Sequence, residues 1–312
     1  MRARMSQLFP AIGLLLAMLI WGSSYVAMKV ALQAYDPSVI LFTRMAIASA
    51  LFLFGWRTLC FQACRQDWKW LLALGLCEPC FYLTCEAHAL VYTTSSQAGI
   101  ITALLPVFVT IAAHLFFHER IRKGMIAGFV IALSGIVILS VRSSASEHAP
   151  NPMLGNLLQL FAMGWATGYT MLVKHLGTRY SAVTLSASQM FMGTLFFAPT
   201  LLLPSTNLPT AFPAIPTLAV IYLGACVTVL AYSFYNHALR HISAVKVSVS
   251  VNLIPVFALL FGSLLLNERL SPPQWMGIGL VVLGIIFSSF GSQRHDGKTV
   301  KHDIAHETAP GV

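Results

Sequence analysis

Long apolar runs, interrupted by short polar connections, set the rhythm of this chain. Ten such stretches lie near residues 8–32, 37–58, 69–91, 95–117, 122–141, 153–175, 181–203, 214–238, 244–266 and 272–290. Each is about twenty residues long, enough for a helix to cross roughly 30 Å of hydrocarbon. The connections carry helix-start chemistry: Asp36-Pro37 reads as a cap followed by a first-turn proline, while Thr94-Ser95-Ser96-Gln97 and Ser271-Pro272-Pro273-Gln274 have the capping-box spacing. Pro199, Pro204, Pro209, Pro213 and Pro216 bracket the seventh-to-eighth connection. No connection is long enough for a soluble domain. Residues 291–312 are polar and mixed in charge and read as a disordered cytoplasmic tail, its His295, His302 and His306 solvated.

Composition agrees with a bilayer protein. With 57% hydrophobic and 9% charged residues and a mean hydropathy of +0.76, the chain has too little polar surface to cover a soluble globule. Charge gives the orientation. Of the 19 Lys and Arg, fifteen fall at the two ends and in alternate connections, which the positive-inside rule places in the cytoplasm. Both termini are therefore expected inside a plasma (bacterial inner) membrane. This bias accounts for the net charge of +9, so no nucleic-acid partner is called for. Arg2 and Arg4 ahead of an apolar run resemble a signal peptide, but Trp21 to Leu32 continue the span, which reads as an uncleaved first helix.

The pattern also repeats. Residues 74–140, advanced by 149 positions without a gap, fall on residues 223–289 with 16 of 67 positions identical. Among them are His88-Ala89-Leu90 with His237-Ala238-Leu239, Pro106-Val107-Phe108 with Pro255-Val256-Phe257, and Glu119-Arg120 with Glu268-Arg269. The first helices match at a shift of 144, pairing Trp21 with Trp165 and Tyr25 with Tyr169. Five spans per half is an odd count, so the second half must enter the membrane upside down. The expected fold is thus all-α integral membrane, ten transmembrane helices as two inverted five-helix repeats, residues 8–141 and 153–290. Inverted repeats that exchange two conformations give alternating access.

Trp21-Gly22-Ser23-Ser24-Tyr25-Val26-Ala27, Arg44, Ala89-Leu90 with Thr94-Ser95, Leu105-Pro106, and Glu119-Arg120 with Gly128 and Gly135 recur in order. The second half repeats them with Trp165, Pro255, Glu268-Arg269, Gly277 and Gly284. In order and spacing these residues resemble the drug/metabolite transporter superfamily in its EamA-like branch. The resemblance covers nearly the whole chain except the tail. It implies a ten-helix exporter or permease with a central cavity, no cofactor and no ATP hydrolysis. The substrate is a small molecule (an amino acid, another metabolite or a cationic drug) that the resemblance does not fix, and the pairing of two protomers into a homodimer is left open.

Within the spans, polar residues are the candidate chemistry. Glu78, Tyr82 and Glu86 lie four residues apart on one broad face of the third span. A lone ionised carboxylate in hydrocarbon costs about 3 kcal/mol on insertion scales, so each glutamate must face water, pair, or take up a proton. That requirement suits them to proton coupling in an antiporter. They fall outside the residues that carry the family resemblance. Glu86 has a plainer alternative, solvation or pairing with His88. Pro79 is expected to kink this helix.

Trp21 with Tyr25, and Trp165 with Tyr169, sit at i and i+4 and form either an aromatic wall for a ligand or ordinary packing, with Ser24 alongside. Arg44 can pair with an acid or anchor an anionic group, and Asn252 can bind substrate or bond between helices, as can Gln97, His114, Asn236 and His237. Lys29, near a helix end, is expected to snorkel outward. Pro106 and Pro255 are expected to bend the fourth and ninth helices. In the pairs Glu119-Arg120 and Glu268-Arg269, each carboxylate is expected to favour the positive end of the following helix, a structural role.

Cys77-x-x-Cys80 has metal-like spacing, but it lies in a span with no second pair, so no metal is expected. Two other classes compete with a carrier. An intramembrane enzyme finds no G-x-S-x-G, no H-E-x-x-H and no aspartate within a span. A channel or sensory scaffold is separable by counterflow without unitary current.

Overall fold

The computed structural model describes residues 2–54, 67–117, 123–141, 145–146, 149–242, 247 and 250–292, and every regular element among them is helical. In chain order these are α1 (Arg2–Ala31), α2 (Pro37–Phe54), α3 (Trp68–Gly75), α4 (Tyr82–Tyr92), α5 (Ser95–Thr102), α6 (Leu105–Phe117) and α7 (Lys123–Val141). They continue with α8 (Pro152–Leu176), α9 (Ala182–Phe197), α10 (Ala214–Tyr222), α11 (Tyr232–His241), α12 (Leu253–Leu266) and α13 (Pro272–Ser292). Two π-helical segments, Leu76–Phe81 and Leu223–Ala231, join α3 to α4 and α10 to α11. The tail beyond Ser292 and the pair Glu119-Arg120 lie outside the described residues.

Among the described residues, five stretches are long and apolar enough to cross a membrane: Pro10–Ala31, Pro37–Phe54, Ser95–Ala112, Ala182–Leu202 and Ala214–His241. Ile126–Leu139 and Leu253–Leu266 add shorter apolar helices. Polarity is arranged inside out. Phe54, Leu195, Ile215 and Leu264 are exposed, whereas Arg44, Glu78, Glu86, Gln97, Asn156, Gln159, Gln189 and Asn236 are buried. Water would reverse that distribution; a hydrocarbon solvent requires it, since a polar side chain facing lipid finds no partner. The chain is a multi-pass membrane protein.

Side chains close several helix starts as the sequence suggests. Thr94 accepts from the Gln97 amide at 3.2 Å, Asp36 from the Ser38 amide at 2.9 Å, and the Gln274 amide oxygen from the Ser271 N–H at 2.7 Å. Asn151 and Ser181 cap α8 and α9 in the same way.

Three spans carry interruptions at proline, though not all as the expected kinks. The third is broken at Glu78, whose φ of −146° and ψ of 116° are extended, because Pro79 has no amide for the helical ladder. The fourth divides at Ala103 and Leu104, so Pro106 stands in the first turn of α6 and not in mid-helix. Pro255 likewise stands in the first turn of α12, after Asn252. In a first turn the missing N–H costs nothing, which is where proline is tolerated.

The halves interlock. Helix α1 packs on α12, and its counterpart α8 packs on α6; α2 packs on the Leu223–Ala231 segment, and its counterpart α9 on the Leu76–Phe81 segment. The two last helices, α7 and α13, lie against each other. A Cβ on Gly135 would stand 2.5 Å from the Gly277 carbonyl oxygen, and one on Gly277 would stand 2.8 Å from that of Gly135. Any side chain at either site would part the backbones. Gly284 meets Gly128 and Ala132, seven residues away in the opposite sense on each helix. The two helices, equivalent in sequence, therefore run antiparallel.

Candidate functional site

A central cavity of about 50 Å³ lies where these elements converge. Helix α1 brings Trp21, Ser24 and Tyr25; α2 brings Arg44; the broken third span brings Glu78, Tyr82 and Glu86; α5 brings Thr102. From the second half come Tyr169 and Thr170 on α8 and Tyr232 and Tyr235 on α11. The lining is of the kind found in small-molecule sites, apolar and aromatic with a few placed polar groups.

The polar groups are knitted across the halves. The Tyr232 hydroxyl donates to Glu78 Oε1, and the Tyr82 hydroxyl donates to Glu86 Oε1 at 2.6 Å. Tyr25 and Thr102 share a hydrogen bond of 2.6 Å. Arg44 Nε donates to Thr228 Oγ1 at 3.0 Å, and Arg44 lines the cavity. Tyr169 donates to Asn236 Oδ1 at 2.7 Å, and Asn236 Nδ2 to Ser186 at 2.9 Å. The Trp21 ring lies 5.3 Å from that of Tyr232 and 4.9 Å from that of Tyr235, while Tyr169 stacks on Tyr235 at 6.0 Å. These rings form one aromatic box.

Eight of the residues singled out from sequence meet here: Trp21, Ser24, Tyr25, Arg44, Glu78, Tyr82, Glu86 and Tyr169. Ser24 gives its hydroxyl proton to the Trp21 carbonyl at 2.7 Å. Trp165 does not join them. It is 38% exposed and rests on Phe81 at 4.6 Å, the packing alternative, while Trp21 lines the cavity. Tyr169, one turn on, is buried and lines the cavity. Asn252 is not among the lining residues; it precedes α12 with its Oδ1 unpaired among the described residues.

Tyr232, Tyr235 and Thr102 are not among the residues expected from sequence. The signal that points to them is the shift of 149, which sets Tyr235 opposite Glu86 and Val227 opposite Glu78. The second half supplies none of the cavity's carboxyls. The charged groups Arg44, Glu78 and Glu86 all belong to the first half, facing tyrosines of the second.

Glu268 performs a different task from the one expected. Its carboxylate does not cap α13, the helix that follows it. Oε1 accepts from the Ser95 N–H at 2.9 Å and hydroxyl at 2.8 Å, and Oε2 from the Ser96 N–H at 2.9 Å and hydroxyl at 2.5 Å. This caps α5, in the other half. Chain reversal at Asn267, whose φ of 53° is left-handed, turns Glu268 back toward it. Arg269 is exposed.

On the opposite end of the molecule the halves are tied by Asp67, before α3. Arg179 Nη1 meets Asp67 Oδ1 at 2.7 Å, and the Tyr180 hydroxyl donates to Oδ2 at 3.0 Å. Burial pushes the Asp67 carboxyl up, but the Tyr180 hydrogen bond and the Arg179 guanidinium together hold it below the ordinary carboxylate range.

Comparison with known proteins gives a consistent result. The model of the EamA-like transporter family matches residues 8–141 and again residues 153–290. An uncharacterized transporter of Archaeoglobus fulgidus is 31% identical over 275 residues, 87% of this chain and 95% of that protein. A protein of Streptantibioticus cattleyicolor named as a probable terminal-alkyne amino-acid exporter is 24% identical, over 88% of this chain and 91% of its own length. One crystal structure superposes with a TM-score of 0.66 at 19% identity, covering 91% of this chain and 98% of the other, a likeness of fold.

Proposed function

This chain belongs to the EamA-like transporter family, and from that premise we propose that it is a secondary carrier exporting a small zwitterionic or cationic organic solute by alternating access. The observation that carries the proposal is the placing of one guanidinium and two carboxyls in a single aromatic-lined cavity between the halves. Arg44 offers planar donors to a carboxylate. The Trp21, Tyr169, Tyr232 and Tyr235 faces suit an ammonium or an aromatic side chain. Glu78 and Glu86 take either the solute's positive charge or a proton, and this exclusive choice is what couples export to the proton gradient.

Two inverted five-helix halves provide the motion. The antiparallel course of α7 and α13, whose sequences match, supports that arrangement, as does the exchange of partners between α1 with α12 and α8 with α6. Both termini sit in the cytoplasm, on the strength of the Lys and Arg bias. A relative named as an amino-acid exporter supports placing amino acids first among the solutes to be tried.

The test is counterflow in proteoliposomes with radiolabelled aromatic amino acids and a quaternary ammonium ion, at two pH values and with an imposed pH gradient. Saturable counterflow is expected. Glu78→Gln and Glu86→Gln should each abolish gradient-driven accumulation. If both variants accumulate solute as the parent does, with an unchanged pH profile, proton coupling through these glutamates is wrong. A unitary current would replace the carrier with a channel.

A further inference from the structure

We propose that Gln189, on α9 of the second half, is a positioning residue that fixes the break in the third span and so presents the Glu78 carboxyl to the cavity. This rests on the reading of Glu78 as a proton-exchanging group. Three contacts carry it. Gln189 Nε2 donates to the Glu78 carbonyl at 2.8 Å, at the one residue of that segment whose φ and ψ are extended. One turn on, Gly193 makes room for the proline: a Cβ there would stand 2.6 Å from Pro79 Cγ and 2.8 Å from Met45 Sδ. Finally, Tyr232 on α11 donates to the Glu78 carboxylate. The second half therefore grips Glu78 at both its carbonyl and its carboxyl.

Gln189 itself is 1% exposed, and its Oε1 has no partner among the described residues. A buried amide left half-satisfied is destabilising, and an apolar residue of the same size would avoid that cost. What it gains is the hold on Glu78. The other half has a matching grip. There α2, the counterpart of α9, sends Arg44 to Thr228 in the Leu223–Ala231 segment at 3.0 Å, and Gly224 of that segment lies against Ile47 and the Arg44 carbonyl. Each π-helical segment is thus held by the second helix of the opposite half. Relative movement of the halves pulls directly on Glu78, which is what a coupling residue requires.

The ionisable groups facing Glu78 are Arg44 on α2, Glu86, Tyr82, Cys77 and Cys80 on its own span, Tyr169 on α8, and Tyr232 and Tyr235 on α11. None of them is altered by Gln189→Met, a variant of similar size without the donor. Two solute-free readouts on the purified full chain test the proposal. The first is peptide-resolved labelling of Cys80, a buried thiol two residues beyond Glu78, by a methanethiosulfonate, with Cys226 as internal reference. Q189M should raise Cys80 labelling about tenfold, the factor expected when a local opening loses one buried hydrogen bond.

The second is the infrared carboxyl band that titrates with pH and is lost in Glu78→Gln; Q189M should displace its midpoint. Unchanged labelling and an unchanged midpoint would overturn the role of Gln189 while leaving Glu78 as the proton site. If E78Q removes no titrating band, the proton-exchange reading falls, and this role with it. Where Q189M does not purify, Gln189→Asn, which withdraws the amide by one methylene, takes its place: raised labelling and a displaced midpoint support the role, and no change in either overturns it.

Discussion

Glu268 offers the sharpest quantitative test of how the halves are joined. In Glu268→Ala, Ser95 and Ser96 lose the acceptor for two backbone amides and two hydroxyls, all within 2.5–2.9 Å of the carboxylate. Loss of an N-terminal cap costs about 1 kcal/mol, and removal of an anion from a helix N-terminus costs about 0.5 kcal/mol more. The two hydroxyl bonds add about 1 kcal/mol after solvent screening of this half-buried group. A total of about 2–3 kcal/mol should appear as a fall in apparent melting temperature on the order of 5 °C in detergent. Glu268→Gln keeps one acceptor oxygen and should lose about half as much. The double variant Ser95→Ala with Ser96→Ala keeps the amide bonds and should also lose about half; combined with E268A it should add little, because both remove the same hydroxyl contacts. Full additivity, or an E268A protein that melts with the parent, would refute the cap. A raised KM with unaltered melting would make Glu268 a substrate ligand instead.

Two further outcomes follow from the geometry. Trp21→Ala should raise the KM for a counterflow solute about tenfold, since Trp21 faces the cavity in the aromatic box, whereas Trp165→Ala, removing a ring that rests on Phe81 outside it, should leave KM within about twofold; equal effects would restore the two-sided wall. Asp67 contributes stability that is complete above its ordinary value of 3.8 and is lost as pH falls through its lower folded value. Melting curves should therefore show the parent losing its advantage over Asp67→Asn as the buffer is taken below about pH 4, and a gap that persists in acid would mean that the Arg179 contact does not depend on the carboxylate charge.

Which parts of the site were legible depended on how far the deciding contacts lie from one another in the chain. Glu78, Tyr82 and Glu86 could be read together because helical spacing along one span puts them on one face. Tyr232 could not be attached to Glu78, since the hydrogen bond joins residues 154 apart in sequence. The same holds for Gln189, which reads in sequence as one more polar residue in an apolar helix. Trp165 was drawn in by its match to Trp21, because alignment assigns equivalent positions but does not fix how far each helix is rotated about its axis.

By itself the sequence determined the solvent, the presence of long apolar helices and the duplication, because each is a matter of local composition and periodicity. The helix breaks at Glu78 and ahead of Pro106 were only half visible: a proline marks where an amide is missing, yet neighbouring packing decides whether the chain bends, unwinds or starts afresh. Tertiary structure alone decided that Glu268 caps α5 and not α13, that the charged groups of the cavity belong to one half, and that each half grips the other's third helix. Those outcomes depend on the relative rotation and depth of helices packed side by side, and such quantities are set by long-range contacts that leave no period in the chain.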